Sequence, residues 1–85
     1  MADTRTHYSL IGSPQYRVEG RNNGDIGWRV LSQWYREGQA MEGARRAMAE
    51  MGFFNWPLYP HVRVVHEGVV IAAWKDRRAL AEVSA

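Results

Sequence analysis

Residues 62–74 read Val62-Arg63-Val64-Val65-His66-Glu67-Gly68-Val69-Val70-Ile71-Ala72-Ala73-Trp74: two β-branched runs on either side of His66-Glu67-Gly68. β-branched side chains are stiff at χ1 and pack well on a pleated surface. Two such runs split by a short Gly-containing segment predict a hairpin, with strands Val62–Val65 and Val69–Trp74. Upstream, Ala40, Ala44, Ala47, Met48 and Met51 recur at the spacing of one helical stripe, and Glu42, Arg45, Arg46 and Glu50 take the other face. Glu42 and Arg46 stand at the favourable i,i+4 spacing. Gly38 is read as the helix start and Gly52 as its left-handed C′ stop. A stripe made mostly of alanine lets the helix axis sit close to a sheet, with Trp28, Val30 and Trp34 supplying the bulk beneath it.

Further upstream, Gln15–Glu19 alternates polar and apolar residues, the period of a half-buried strand. Trp28–Tyr35 reads as a second strand. Between them, Gly20–Gly27 is a loop on composition, with Asn23-Gly24 its expected turn. Gly12-Ser13-Pro14 is a breaker cluster, and Thr6–Ile11 before it is either an edge strand or an ordered arm. Asp76 is expected to cap a short helical turn through Leu80, or else the tail frays. The boundaries that follow are an arm or edge strand over 1–14, a single domain over 15–75 and a turn or tail over 76–85. The element order is β-β-α-β-β with an extra N-terminal strand as the variant. An α+β fold results, one helix packed on one face of an antiparallel sheet in two layers.

Composition narrows the chemistry. Eighty-five residues make one domain with a thin core. At 46% hydrophobic and 24% charged residues, wholesale disorder is excluded. The absence of cysteine removes disulfide scaffolds, thiol catalysis and thiolate zinc sites. The longest apolar run, Val69–Trp74, is far below the ~20 residues of a spanning helix, so no membrane partner is expected. Asp3 and the lack of an apolar h-region predict no secretory leader, and the cytoplasm is the expected location.

No catalytic residue is assigned. His7, His61 and His66 are the residues that titrate near neutrality. His61 and His66 are five apart, so one strand points them to opposite faces and a shared metal is not expected. No Ser-His-Asp pattern or H-E-x-x-H occurs, and Gly20–Gly27 lacks the Lys-Ser/Thr of a phosphate loop. A non-catalytic protein with no metal and no cofactor is the expectation.

Two surfaces remain. Phe53, Phe54, Trp56 and Tyr59 crowd a two-proline connector, Phe53–Pro60. They either cap one end of the thin core or point outward as anchors for a partner, for which a stiff loop lowers the ordering cost. With Asn22 and Asn23 of the hairpin loop they form the candidate partner-binding set. The second surface follows from register. Pairing Val18 with Trp28 and Tyr16 with Val30 segregates the apolar face, and sets Arg17 opposite Arg29 on the outer face. Either an anion sits between the two guanidinium groups, or the side chains splay into solvent, or Glu19 screens them. Trp34 and Tyr35 are adjacent, so one of them faces outward. Arg17, Arg29, Arg63 and Tyr35 are therefore the candidate anion or nucleic-acid contacts. A net charge of +2 is small for a nucleic-acid binder, although ten of the eleven cations are arginine, the residue suited to bidentate oxyanion contacts.

A protein partner is the leading expectation, a homodimer or nucleic acid the alternatives. In size, in arginine-for-lysine usage and in β-β-α-β-β order the chain is similar to small phage-encoded proteins, including anti-CRISPR inhibitors that block a host nuclease complex by binding it. That resemblance implies stoichiometric inhibition of a larger machine and assigns no residue.

Overall fold

A computed structural model describes residues 15–80. The expected N-terminal arm or strand, and the end of the tail at 81–85, lie outside the described residues. The elements are β1 (Tyr16–Arg21), β2 (Arg29–Trp34), α1 (Glu37–Ala49), a short 3-10 turn at Phe53–Asn55, β3 (His61–His66), β4 (Val69–Lys75) and β5 (Arg78–Ala79). They form one antiparallel sheet in the order β2-β1-β3-β4-β5, with α1 packed on one face. The α+β, two-layer expectation holds. Among the described residues no helix is long and apolar enough to cross a membrane.

The core lies where the alanine stripe meets the alternating valines. Val18, Val62, Val64, Ala40, Ala44 and Ala47 are buried, with Tyr16, Leu31, Trp34, Tyr59, Ile71 and Trp74 packed around them. Close approach is enforced at two glycines. A Cβ on Gly43 of α1 would stand 2.7 Å from the Trp34 Nε1, and one on Gly20 would stand 2.7 Å from Leu31 and 3.1 Å from the Tyr59 ring. A side chain at Gly43 would displace the Trp34 ring, and one at Gly20 would displace the end of Leu31 and press on Tyr59.

Several sequence expectations are corrected. The β1–β2 register is Tyr16↔Trp34, Arg17↔Gln33, Val18↔Ser32, Glu19↔Val30 and Gly20↔Arg29, with Leu31 as an extra residue on β2. The bulge at Leu31 shifts the register inside the strand, so of the three expected bulky residues Trp28 and Val30 do not lie under the helix and only Trp34 does. The helix starts at Glu37, one residue before Gly38, after an extended Arg36 without a side-chain cap. It ends at Ala49, followed by an extended Glu50, and Gly52 does not take a left-handed conformation. Met51 thus leaves the buried stripe and is half exposed. Glu42 pairs with Arg45 at 2.9 Å instead of Arg46.

The hairpin turns follow turn chemistry. Glu67 and Gly68 join β3 to β4 with positive φ at both central residues, as type I′ requires. The chain after β4 is not a helical turn. Asp76 and Arg77 (φ 50 and 68) make a second such turn, and Arg78–Ala79 pairs back on β4. Asn23-Gly24 sits at the centre of a turn closed by Asp25 N–H to the Asn22 carbonyl at 3.0 Å.

Candidate functional site

Helix α1 leads into a closed loop. Met51 bridges Pro57, the Gly52 N–H donates to the Trp56 carbonyl at 2.8 Å, and the Leu58 N–H donates to the Glu50 carbonyl at 3.0 Å. The stem is thereby pinned to the helix end. The tip reverses through Phe54 (φ 59, ψ 25) and Asn55 (φ 61), both left-handed. Asparagine tolerates that region, but for a bulky residue such a conformation costs roughly 1–3 kcal/mol. That cost is sustained only where surrounding contacts fix the backbone, and here the stem bonds do so.

The strained tip carries apolar groups outward. Phe54 is 90% exposed and Trp56 70% exposed, with Met51 and Leu58 also exposed beside them. Each aromatic left in water forgoes on the order of 2 kcal/mol of burial. Together with Asn22, Gly52 and Pro57 these residues line a groove of about 640 Å3. Tyr59 instead packs into the core against Gly20. The two expectations for the aromatic connector therefore divide by residue: Tyr59 caps the core, while Phe54 and Trp56 face out. The side chain of Phe53 lies outside the described set.

Asn22 and Asn23 hold this end of the molecule together. The Asn22 Nδ2 donates to the Leu58 carbonyl at 3.1 Å, and its backbone N–H donates to Asp25 Oδ2 at 2.9 Å. Asn23 Oδ1 lies 2.7 Å from His61 Nε2. Hence the β1–β2 loop is stitched both to the aromatic loop and to the start of β3. Arg77 ties the other side, with Nε donating to the Met48 carbonyl at 3.1 Å and Nη2 reaching the Met51 sulfur at 3.3 Å.

The sheet face turned away from α1 carries the second candidate surface, with altered membership. Arg17 stands opposite Gln33, and Arg29 stands opposite Gly20 on the helix-bearing face. The expected Arg17–Arg29 pair does not form, because the Leu31 bulge reverses the alternation of β2. What Arg17 meets is Glu19, whose Oε2 lies 3.3 Å from the Arg17 Nε, while the Arg63 Nε donates to its Oε1 at 2.7 Å. The Glu19 side chain is 7% exposed. Arg17 and Arg63 thus converge through a buried carboxylate between them. Tyr35 lies just past the end of β2, far along the strand from Arg63, which shares a row with Glu19 and Val30.

Trp28 is the aromatic that meets Arg63 and Arg21 on this face. The Arg63 guanidinium lies 4.1 Å from its ring centroid and that of Arg21 5.6 Å, and His61 packs edge-on against it at 6.4 Å. Such cation–π contacts contribute roughly 0.5–2 kcal/mol each. Desolvation, then the charges of Arg21 and Lys75, hold the His61 pKa below its ordinary value, against an opposing pull from Asp76. His66 points to the other face and stacks on Tyr16 at 4.2 Å, so the two histidines do not meet.

Arg21, Trp28 and Lys75 are the members that sequence reasoning missed, and Glu19 had entered only as a screen between Arg17 and Arg29. One signal was present: Arg17, Glu19 and Arg21 alternate along one strand and so share a face. No family model, curated protein or solved structure matches this chain.

Proposed function

We propose that this chain is a small, non-catalytic protein-binding module that engages its partner through the loop Met51–Leu58. The observation that carries the reading is the pairing of high exposure at Phe54 and Trp56 with a backbone locked by the Met51–Pro57 bridge. Rigid aromatic anchors lose little conformational entropy on binding, and Trp is among the residues most enriched at binding hot spots. His61 and His66 are engaged with Asn23 and Tyr16, which suits structural roles for both. In the form implied by the resemblance to phage-encoded inhibitors, the partner is a larger nuclease complex held in stoichiometric amount.

The test compares the tagged wild type with a Phe54→Ser/Trp56→Ser double variant in capture from nuclease-treated cell lysate. A protein retained in stoichiometric amount by the wild type and lost with the double variant, at similar melting temperatures, supports the reading. Equal capture by both chains overturns it. Light scattering of the purified chain separates a foreign partner from self-association, since a dimer broken by the double variant makes a second copy the partner.

A further inference from the structure

The sheet face opposite α1 arranges its cations in rows. Strand pairing puts Arg21, His61, Lys75 and Arg78 in one row, Glu19, Arg63 and Ala73 in the next, and Gln33, Arg17 and Val65 in a third. Successive rows are two residues apart, roughly 6.8 Å along the strands, and neighbouring strands lie roughly 4.8 Å apart. Arg17, Arg21, Arg63, Lys75 and Arg78 against Glu19 give this face +4, more than the +2 of the entire chain. Glu67 and Asp76 stand in the turns at its two ends.

Glu19 does more than offset charge. It holds Arg17 and Arg63 at their Nε atoms, at the root of each guanidinium group. Trp28 fixes the plane of Arg63 from the other side. A long side chain loses up to about 2 kcal/mol of rotamer entropy when ordered. For Arg63, and in part for Arg17, that ordering precedes any ligand.

We infer that this face binds the phosphodiester backbone of a single-stranded nucleic acid. Arg17, Arg63, Arg21 and Lys75 contact phosphates, and Glu19 is a positioning residue for two of them. Three of these four cations are arginine, whose fork matches phosphate oxygens. The row spacing resembles that of successive phosphates on an extended strand, and the small Ala73 leaves room beside Arg63 for the backbone to pass. Trp28 is already packed against Arg63 and Arg21, which favours recognition of the backbone over stacking of bases and predicts little sequence preference.

The experiment is fluorescence anisotropy of a labelled oligothymidine with the full chain. Four phosphate contacts predict a loss of roughly 50-fold in affinity between 50 and 200 mM salt, from about 0.7 of log–log slope per contact on single strands. Lys75→Gln and Arg17→Gln, at exposed positions, are each expected to lower that slope by about 0.7. Glu19→Gln is expected to weaken binding several-fold although it removes a negative charge. A surface acting by net charge alone would bind more tightly after that change. Oligoadenine is expected within about threefold of oligothymidine.

No binding at 50 mM salt, or unchanged slopes in both Lys75→Gln and Arg17→Gln, would overturn the inference. Tighter binding to polyglutamate than to the oligonucleotide would also overturn it and make an acidic protein surface the ligand. Tighter binding by a folded Glu19→Gln would overturn the positioning role. If that variant does not fold, the two slope variants decide. The Phe54→Ser/Trp56→Ser variant should keep oligonucleotide binding, so failure of the loop reading and failure of this one are separable.

Discussion

Two glycines on one helix are expected to respond to the same substitution with opposite signs. Gly38 lies in the first turn of α1 with open space where a Cβ would go, whereas a Cβ on Gly43 would stand 2.7 Å from Trp34 Nε1 and 3.2 Å from Ser32 Oγ. Replacing a helical glycine by alanine ordinarily gains up to about 1 kcal/mol. Gly38→Ala should therefore stabilise by roughly 0.5 kcal/mol and raise the melting temperature by a few degrees. At Gly43 the same gain is opposed. The Trp34 ring must withdraw by about 0.5–1 Å to reach ordinary contact, which strains its 2.8 Å hydrogen bond to Ser32. Overpacking costs about 1–3 kcal/mol and the bond about 1 kcal/mol. Gly43→Ala is accordingly expected to destabilise by about 1–3 kcal/mol net, a drop on the order of 5–20 °C for a domain of this size. Thermal and urea unfolding of both variants measure this directly. Adding Trp34→Phe, which removes the offending nitrogen, should recover part of the loss and give a coupling of ~1 kcal/mol in a double-mutant cycle. A Gly43→Ala chain at least as stable as the wild type would refute the packing of α1 against β2 described above.

Trp56→Ser should change stability by no more than about 0.5 kcal/mol, as surface substitutions do; a drop of ten degrees or more in the melting temperature would place this ring in the core. His61 supplies a pH dependence with a definite sign. Its folded pKa is lowered from 6.5, so the unfolded chain binds a proton more readily than the folded one. Its contribution is intact above pH 6.5 and is lost as pH falls through the lowered folded value, and His61→Gln should flatten that part of the stability curve. In an NMR titration Lys75→Gln should raise the His61 pKa; a wild-type value at or above 6.5 would contradict the placement of His61 beside Arg21 and Lys75.

Much of the architecture was legible because its signals are local. The β-branched runs around Glu67-Gly68 and the alanine stripe from Ala40 to Ala47 each identify an element without reference to the rest of the chain. The β1–β2 register was not legible, because Val30-Leu31 gives two apolar residues in succession and nothing marks Leu31 as the bulged one. That one residue decides whether Arg17 meets Arg29 or Gln33, and whether Val30 faces the helix or the opposite side. The meeting of Arg63 with Glu19 depends on β1 lying beside β3, a long-range pairing that no local pattern specifies. Trp28 was assigned to the helix side because the Leu31 bulge was not legible. At the aromatic connector, composition supported both a core cap and an outward anchor, and both occur, in Tyr59 and in Phe54 with Trp56. Only the left-handed turn at Phe54 and Asn55 separates them, and a phenylalanine at positive φ is not an expectation any propensity supplies.

The central claim, that the Met51–Leu58 loop is a partner-binding surface, is tested most directly by site-specific photo-crosslinking. A photoreactive phenylalanine analogue is placed at Trp56 and, as a control, at Arg45 on the exposed face of α1, and both chains are irradiated in nuclease-treated lysate. A discrete protein adduct formed from position 56 and not from position 45, competed away by unlabelled wild type but not by the Phe54→Ser/Trp56→Ser variant, is the expected result. Indistinguishable adducts from the two positions, or none from position 56, would contradict it.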